Sequence, residues 1–366
     1  MTDYRIFGLD LYRAAAILLL LLANVLNSFQ IAHPGMAQFA PILGLVSLEI
    51  FFVLCGFLLG NSFYGIFMAE NFAAADAIRF VKRKLLRIVP LYVLVLLANI
   101  GIAYLMDYEI GKVWSFFFFL QNFSQPIPAF FPESWGLPVI VFGVLMLVLL
   151  MTSLSRIFTQ KQKPMVFLMA TIGLILVFLW TKWLYHSQHE TNEITNWDVT
   201  LKTVAIYRFD SVFIGTLFSW IFMQRSAIWE KAKWALLFVG LAGIAFLAFG
   251  ISILQLPIET HPMFWNIFYL PLTSLILACF LPLLSGWQTA PAFLQRPVSL
   301  MSRMAYGIYL VHFSIVLLLA EYLLKVDFGN PSAVILMSAV YVCCSILFGW
   351  LLHHFVEKRL LAQAQR

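Results

Sequence analysis

Ten apolar runs, each about the 20 residues that cross the hydrocarbon layer of a bilayer, recur along the chain and leave little room for any other fold. They fall at 8–27, 43–64, 90–106, 136–154, 165–184, 203–223, 234–254, 265–286, 304–325 and 332–354. The chain is 62% apolar and 11% charged with mean hydropathy +0.91, far from the balance of a water-soluble domain. The expected fold is an all-α integral membrane protein, a bundle of about ten transmembrane helices. The whole chain, 1–366, reads as a single membrane domain without internal repeats. The stretch 114–123 (WSFFFFLQNF) is too short to span and reads as an interfacial or re-entrant piece.

Charge supplies the orientation. With the N-terminus in the cytoplasm, 18 of the 23 Lys and Arg residues fall on the inner side, including Arg5, the run from Arg79 to Arg87, and Arg366. Lys112, Lys182, Lys202, Arg208 and Lys325 remain for the outer side. The asymmetry predicts both termini cytoplasmic and therefore an even number of spans. It also accounts for the net charge of +6, which calls for no nucleic-acid partner. The first apolar run carries charges and no small-residue cleavage site, so it reads as a retained helix rather than a signal peptide. Cys55, Cys279, Cys343 and Cys344 all lie inside spans, without metal or disulfide spacing, and read as small core residues; no metal is expected.

Polar residues inside apolar helices cost free energy unless they face a partner or a cavity. In the first run, Arg13 and Asn24 stand eleven positions apart, which closes three helical turns to within about 20° and separates them by about 16 Å. Asp10 and Asn27, one turn beyond each, extend the same stripe. A polar path through the bundle follows. Glu49, Asp210 and Glu321 are the other acids within the spans. Arg208 and Asp210, two positions apart, cannot face one another, so each is expected to pair with a different helix, and Glu49 is the natural partner of Arg208. Glu321 reads as interfacial. The basic stretch 80–92 (FVKRKLLRIVPLY), stopped by Pro90, is either a solvated inner loop or a phosphate grip formed by Lys82, Arg83 and Arg87. His312 lies within a span with Tyr309 at i−3, and His33 lies in the loop after the first helix.

These residues, taken in order, resemble the acyltransferase 3 family of bacterial integral-membrane acyltransferases. The opening LDLYRAAAILLLLLAN places Arg13 at the family's helix-one arginine. Glu49-Ile-Phe-Phe-Val-Leu-Cys-Gly-Phe resembles its second-helix segment, and Arg83 to Pro90 its basic stretch. Trp135-Gly-Leu, Tyr207-Arg208-Phe209-Asp210 with Gly215, the segment from Ala305 to Phe313, and Val356-Glu357 follow in family order. The resemblance implies a multi-pass enzyme of the bacterial inner membrane. Such an enzyme takes an acyl group, usually acetyl, from cytosolic acyl-CoA and delivers it to a hydroxyl or amine of a glycan or other envelope acceptor.

The chain also departs from that pattern. The family's helix-one histidine is Asn24 here, and a glutamate five residues after the helix-four tryptophan is Ile140. Cys55 replaces a serine, and Glu49 an aspartate. An asparagine amide takes no proton at physiological pH and is no general base. The heparan-alpha-glucosaminide acetyltransferase family resembles this opening, with Asn at the position of Asn24 and its catalytic histidine in the first loop, where His33 lies. Three readings follow. In the first, an acyltransferase docks acyl-CoA at Lys82, Arg83 and Arg87. Arg13 and Asn24 orient the thioester, and His33, held by Glu49, is the base. Asp10, Trp135, Arg208, Asp210, Tyr309 and His312 line the path and the acceptor site. In the second, a non-catalytic relative binds or translocates a glycan or lipid-linked precursor. The third, a secondary transporter, lacks the broken-helix pair that such a fold uses.

Overall fold

In the computed structural model, residues 6–189 and 193–359 are described. Among them there are no strands, and ten helices are long and apolar enough to cross a membrane. They are α1 Phe7–Ser28, α2 Pro34–Phe67, α3 Ala74–Leu105, α4 Pro132–Leu154, α5 Lys163–Gln188, α6 Ala205–Gln224, α7 Ser226–Ile253, α8 Phe264–Gly286, α9 Ala292–Leu324 and α10 Pro331–Glu357. All ten expected spans are present. Several helices begin earlier than their apolar cores, because amphipathic first turns extend them. Pro90 does not stop α3, and Pro297 does not stop α9. A proline removes one backbone donor, which a bundle tolerates when neighbours satisfy the freed carbonyls. Near this proline, though not at the Leu86 carbonyl that it frees, the Tyr306 hydroxyl of α9 donates to the Ile88 carbonyl (2.9 Å) and ties the two helices together.

Contacts between loops show that successive helices alternate in direction. The start of α1 is joined to the end of α8 by Phe7 N–H to the Gln288 carbonyl (3.2 Å) and Gly8 N–H to Trp287 (2.9 Å). The loop after α4 reaches the loop after α2, Gln160 donating to the Met68 carbonyl (2.5 Å) and Lys163 to Ala69 (3.1 Å). At the opposite end, Trp197 after α5 donates to the Trp265 carbonyl near the start of α8 (3.2 Å). Arg79, Lys82, Arg83, Arg87, Arg156, Lys161, Arg225, Lys231 and Lys233 therefore gather at one end, the basic end. Arg5 and Arg366 lie outside the described residues. Lys182 is a correction to the outer-side count. It is not a flanking cation but a fully buried residue, six positions before the end of α5 and paired with Asp210.

The centre is set by α2 and α6. Where they cross, Gly56 approaches the Val212 backbone and Gly215 approaches the Val53 backbone so closely that a Cβ at either would collide with a carbonyl oxygen. Close backbone approach through small residues is a common way for helices to pack when lipid tails are as apolar as the helices themselves. It holds the segments bearing Glu49 and Arg208 face to face. The stretch 114–123 is a short helix, Trp114–Phe117, and a turn, not a span. Its buried Asn122 donates to the carbonyls of Trp135 (2.9 Å) and Thr203 (2.5 Å), fastening the start of α4 to the start of α6.

A topology prediction follows from the alternation. Reporters fused after Gln38 and after Thr260 should mark one side of the membrane and one after Lys161 the other, the Lys161 side being cytoplasmic by the charge bias. The fusion site at Asn192 lies outside the described residues. Gln38 and Lys161 reporting the same side would contradict the alternation.

Candidate active site

Two buried ion pairs form a layer across the bundle. Arg208, at the start of α6, pairs with Glu49 of α2, both fully buried, which forms the pair expected from the sequence. The second carboxylate oxygen of Glu49 accepts from Ser274 Oγ of α8 (2.8 Å), whose oxygen lies 3.0 Å from Ser211 Oγ and is free to accept from it. Two positions on, Asp210 turns the other way and takes Lys182 of α5 at 2.6 Å. The i, i+2 spacing thus sends the two charges to different helices, as the helix period requires. The Arg208 guanidinium also stands over the rings of Phe52 (5.6 Å) and Trp135 (5.9 Å), which themselves meet edge to face.

Trp135 connects this layer to a cavity of about 700 Å³ at the end opposite the basic one. Asn24 and Asn27 of α1, Glu133 and Trp135 of α4, Tyr309 and His312 of α9, and Asp198 and Lys202 lie on its wall. The last two form an ion pair in the segment Asp198–Lys202, which follows the short helix Ile194–Trp197 at the cavity rim. Towards the bundle interior the wall is Leu20, Leu48 and Tyr309, so the cavity reaches well into the apolar depth.

One wall is tightly cross-linked. Tyr309 donates its hydroxyl to the Glu133 carbonyl and accepts from Gly136 N–H (3.3 Å). Glu133 Oε1 accepts from the Ser314 amide (3.0 Å) and hydroxyl (2.5 Å), while its buried Oε2 has no hydrogen-bond partner among the described residues. His312 opens a π-helical turn, His312–Leu318, a widened turn of the kind often found at functional sites. Its Nδ1 lies 2.8 Å from the Tyr309 carbonyl. A carbonyl only accepts, so Nδ1 carries a proton, and in the neutral imidazole Nε2 is then the bare acceptor that a general base requires.

The α1 stripe splits between the two ends. Asn24 lines the cavity with its Nδ2 donating to Leu20 (3.0 Å), which occupies one of its two amide hydrogens. Arg13 is not on that wall. It donates to Ser302 Oγ of α9 (3.3 Å), Ser302 donates to Asp10 (2.8 Å), and Arg13 stands 3.9 Å from Asp10. Arg13, Lys84 and Arg87 lie near enough to Cys55 to act on it electrostatically, so cations from α1 and α3 converge at the basic end of the interior. Lys82, Arg83 and Arg87 are all exposed, and Lys82 faces α4.

His33 is exposed, with its ring stacked near Phe29 (6.1 Å). Glu49 is fully buried and held by Arg208 and Ser274, so the structure does not join the imidazole of His33 to that carboxylate. Glu133, Lys182, Ser274 and Ser302 were not singled out from sequence. Glu133 had a signal in its place two residues before Trp135, within the motif-bearing turn. Lys182, between Trp180 and Trp183, carries the pattern of an interfacial lysine and gave none.

This arrangement is that of a polytopic membrane protein with a largely apolar cavity, studded with a few polar side chains, beside a buried charge layer. The chain belongs to the acyltransferase 3 family, whose sequence model, described as an acyltransferase domain, matches residues 6–354. Comparison with curated proteins and with solved structures returns no match.

The charge layer generates a stability prediction. Arg208→Met alone strands Glu49 in a dry interior and should cost roughly 3–5 kcal/mol. Arg208→Met with Glu49→Leu removes both charges and should recover most of it. Thermal unfolding of the purified variants in detergent measures this; a double variant no more stable than the single one would mean the pair is not the coupled unit described.

Proposed function

We propose that the protein moves an acyl group, acetyl in the simplest case, from cytosolic acyl-CoA to a hydroxyl or amine of a glycan or other envelope acceptor. The acceptor binds in the cavity between Asn24, Glu133 and His312. Membership of an acyltransferase family supports the reaction type. The observation that carries the mechanism is His312, whose Nδ1 is committed to the Tyr309 carbonyl on the cavity wall. The reading places the protein in a bacterial inner membrane with both termini in the cytoplasm.

In this reading the donor enters from the basic end, its phosphates met by Arg83 and Arg87 and the pantetheine arm passing Arg13. Arginine is suited to this by its fixed fork of donors. His312 Nε2 takes the proton from the acceptor hydroxyl as the oxygen attacks the thioester carbonyl carbon. The carbonyl electron pair moves onto oxygen, where the Asn24 N–H that is not given to Leu20 donates to the oxyanion. As the tetrahedral centre collapses, the carbon–sulfur bond breaks and the thiolate of CoA leaves with the proton from His312. Glu133 places a carboxylate on the same wall and offsets the imidazolium charge while it exists. It takes the part of the glutamate absent at Ile140. His33, exposed and apart from Glu49, has no step.

One observation favours a second reading. The Asn24 amide is turned onto its own helix at Leu20, as expected of a relative that binds a glycan or lipid-linked precursor without acylating it. Transfer of labelled acetyl from acetyl-CoA to membrane glycan extracts separates the two. Wild type in nanodiscs should form product with release of CoA. His312→Ala should lose about 10²–10⁴-fold in rate, Asn24→Ala less, and His33→Ala little. Activity lost in His33→Ala and kept in His312→Ala would overturn the assignment of the base. A wild type with neither transfer nor thioester hydrolysis would favour the non-catalytic reading.

A further inference from the structure

The face of α3 that meets α4 carries a groove that the catalytic reading leaves unused. It encloses about 830 Å³, with Ile78 and Val89 on the α3 side and Leu145 and Leu149 on the α4 side. Ile78 and Leu149 are 67% and 66% exposed, so the groove opens onto the bundle surroundings rather than the interior. From Leu145 to Arg156 the α4 side advances eleven residues, about 16 Å at 1.5 Å per residue. That is about half of a 30 Å hydrocarbon layer, the depth of one leaflet.

Two cations line the groove: Arg156 closes its α4 side at the basic end, and Lys82 stands midway along its α3 side. Both are exposed, and neither has an ion-pair partner among the described residues. Asp76, the acid of the first turn of α3, is already taken by Arg79 (2.5 Å). At about 100° per residue Lys82 points roughly 140° away from Arg87. The basic stretch of α3 therefore has two faces. One carries Lys84 and Arg87, and the other presents Lys82 to the groove.

We propose that this groove is a binding site for one anionic phospholipid. Its acyl chain lies between α3 and α4, and its phosphate sits between Lys82 and Arg156. An apolar groove open to lipid, about one leaflet deep and flanked by two cations without ion-pair partners among the described residues, matches the shape and charge of that ligand. A zwitterionic lipid fits the apolar part but gains less at the cations. The proposal does not depend on the acyl-transfer reading.

Native mass spectrometry tests it on the purified full-length protein in mild detergent with equal amounts of dioleoylphosphatidylglycerol and dioleoylphosphatidylcholine. The protein should retain one phosphatidylglycerol in preference. Lys82→Gln with Arg156→Gln should reduce that preference by on the order of tenfold, while Arg83→Gln with Arg87→Gln should leave it in place. Leu149→Trp, which fills the groove without altering charge, should lower retention of both lipids while the protein still elutes as the wild type does. Equal retention of the two lipids by wild type would overturn the proposal. So would a preference that survives the Lys82 and Arg156 changes, or one that falls instead with Arg83 and Arg87. Displacement of the phosphatidylglycerol by equimolar palmitoyl-CoA would assign the groove to a thioester donor and overturn it too.

Discussion

An arginine cannot sit inside a membrane bundle without an answering charge, and the pair formed by Arg208 and Glu49 supplies it. Much of the site depends on that pairing. It fixes the register of α2 against α6, whose glycines allow the backbones to approach. It also presents the guanidinium to Phe52 and to Trp135, and Trp135 carries the contact from the charged layer to the cavity wall. Lys182 and Asp210 repeat the solution one helix away. Apolar replacements of both partners would pack at less desolvation cost, which points to a positional role for the charges, holding one arrangement of helices among several that lipid-like packing would tolerate.

The cavity wall is built from short-range devices at the edges of helices. The turn Pro132–Trp135 brings Glu133 to Tyr309 and Ser314, and the π-helical turn brings His312 to the Tyr309 carbonyl. Each group is anchored by the backbone of its neighbour, so the imidazole is oriented before any ligand enters. Preorganised groups of this sort need little rearrangement as charge develops, which is where acyl transfer gains most of its electrostatic assistance.

The fold was largely legible in the sequence, because a transmembrane helix must declare itself by about 20 consecutive apolar residues and the loops by their charge. Arg208 and Glu49 were legible for the same reason: an unpaired charge at that depth is too costly, and the i, i+2 rule excluded Asp210 as the partner. The span boundaries were less legible, since α3 runs through Pro90 and α9 begins twelve residues before its apolar core. The site itself was legible only in pieces. Asn24, Trp135, Tyr309 and His312 were visible as polar or aromatic residues in spans, but nothing local shows that they share one wall. Glu133 was hidden in a turn, Lys182 was disguised as an interfacial lysine, and His33 had proximity in sequence without proximity to Glu49.

The chain is a member of a membrane acyltransferase family, and the proposed reading has donor and acceptor meet from opposite ends of its bundle. Cations gather at one end, and the ligand-sized cavity with its histidine opens at the other. The most direct test is the sidedness of transfer in proteoliposomes of uniform orientation. Labelled acetyl-CoA is supplied only on the side of the basic end, and an acceptor series of glycerol, glucose and N-acetylglucosamine only on the opposite side. The account predicts acetylated product on the acceptor side and free CoA on the donor side. Product formed only when donor and acceptor share a compartment would contradict it.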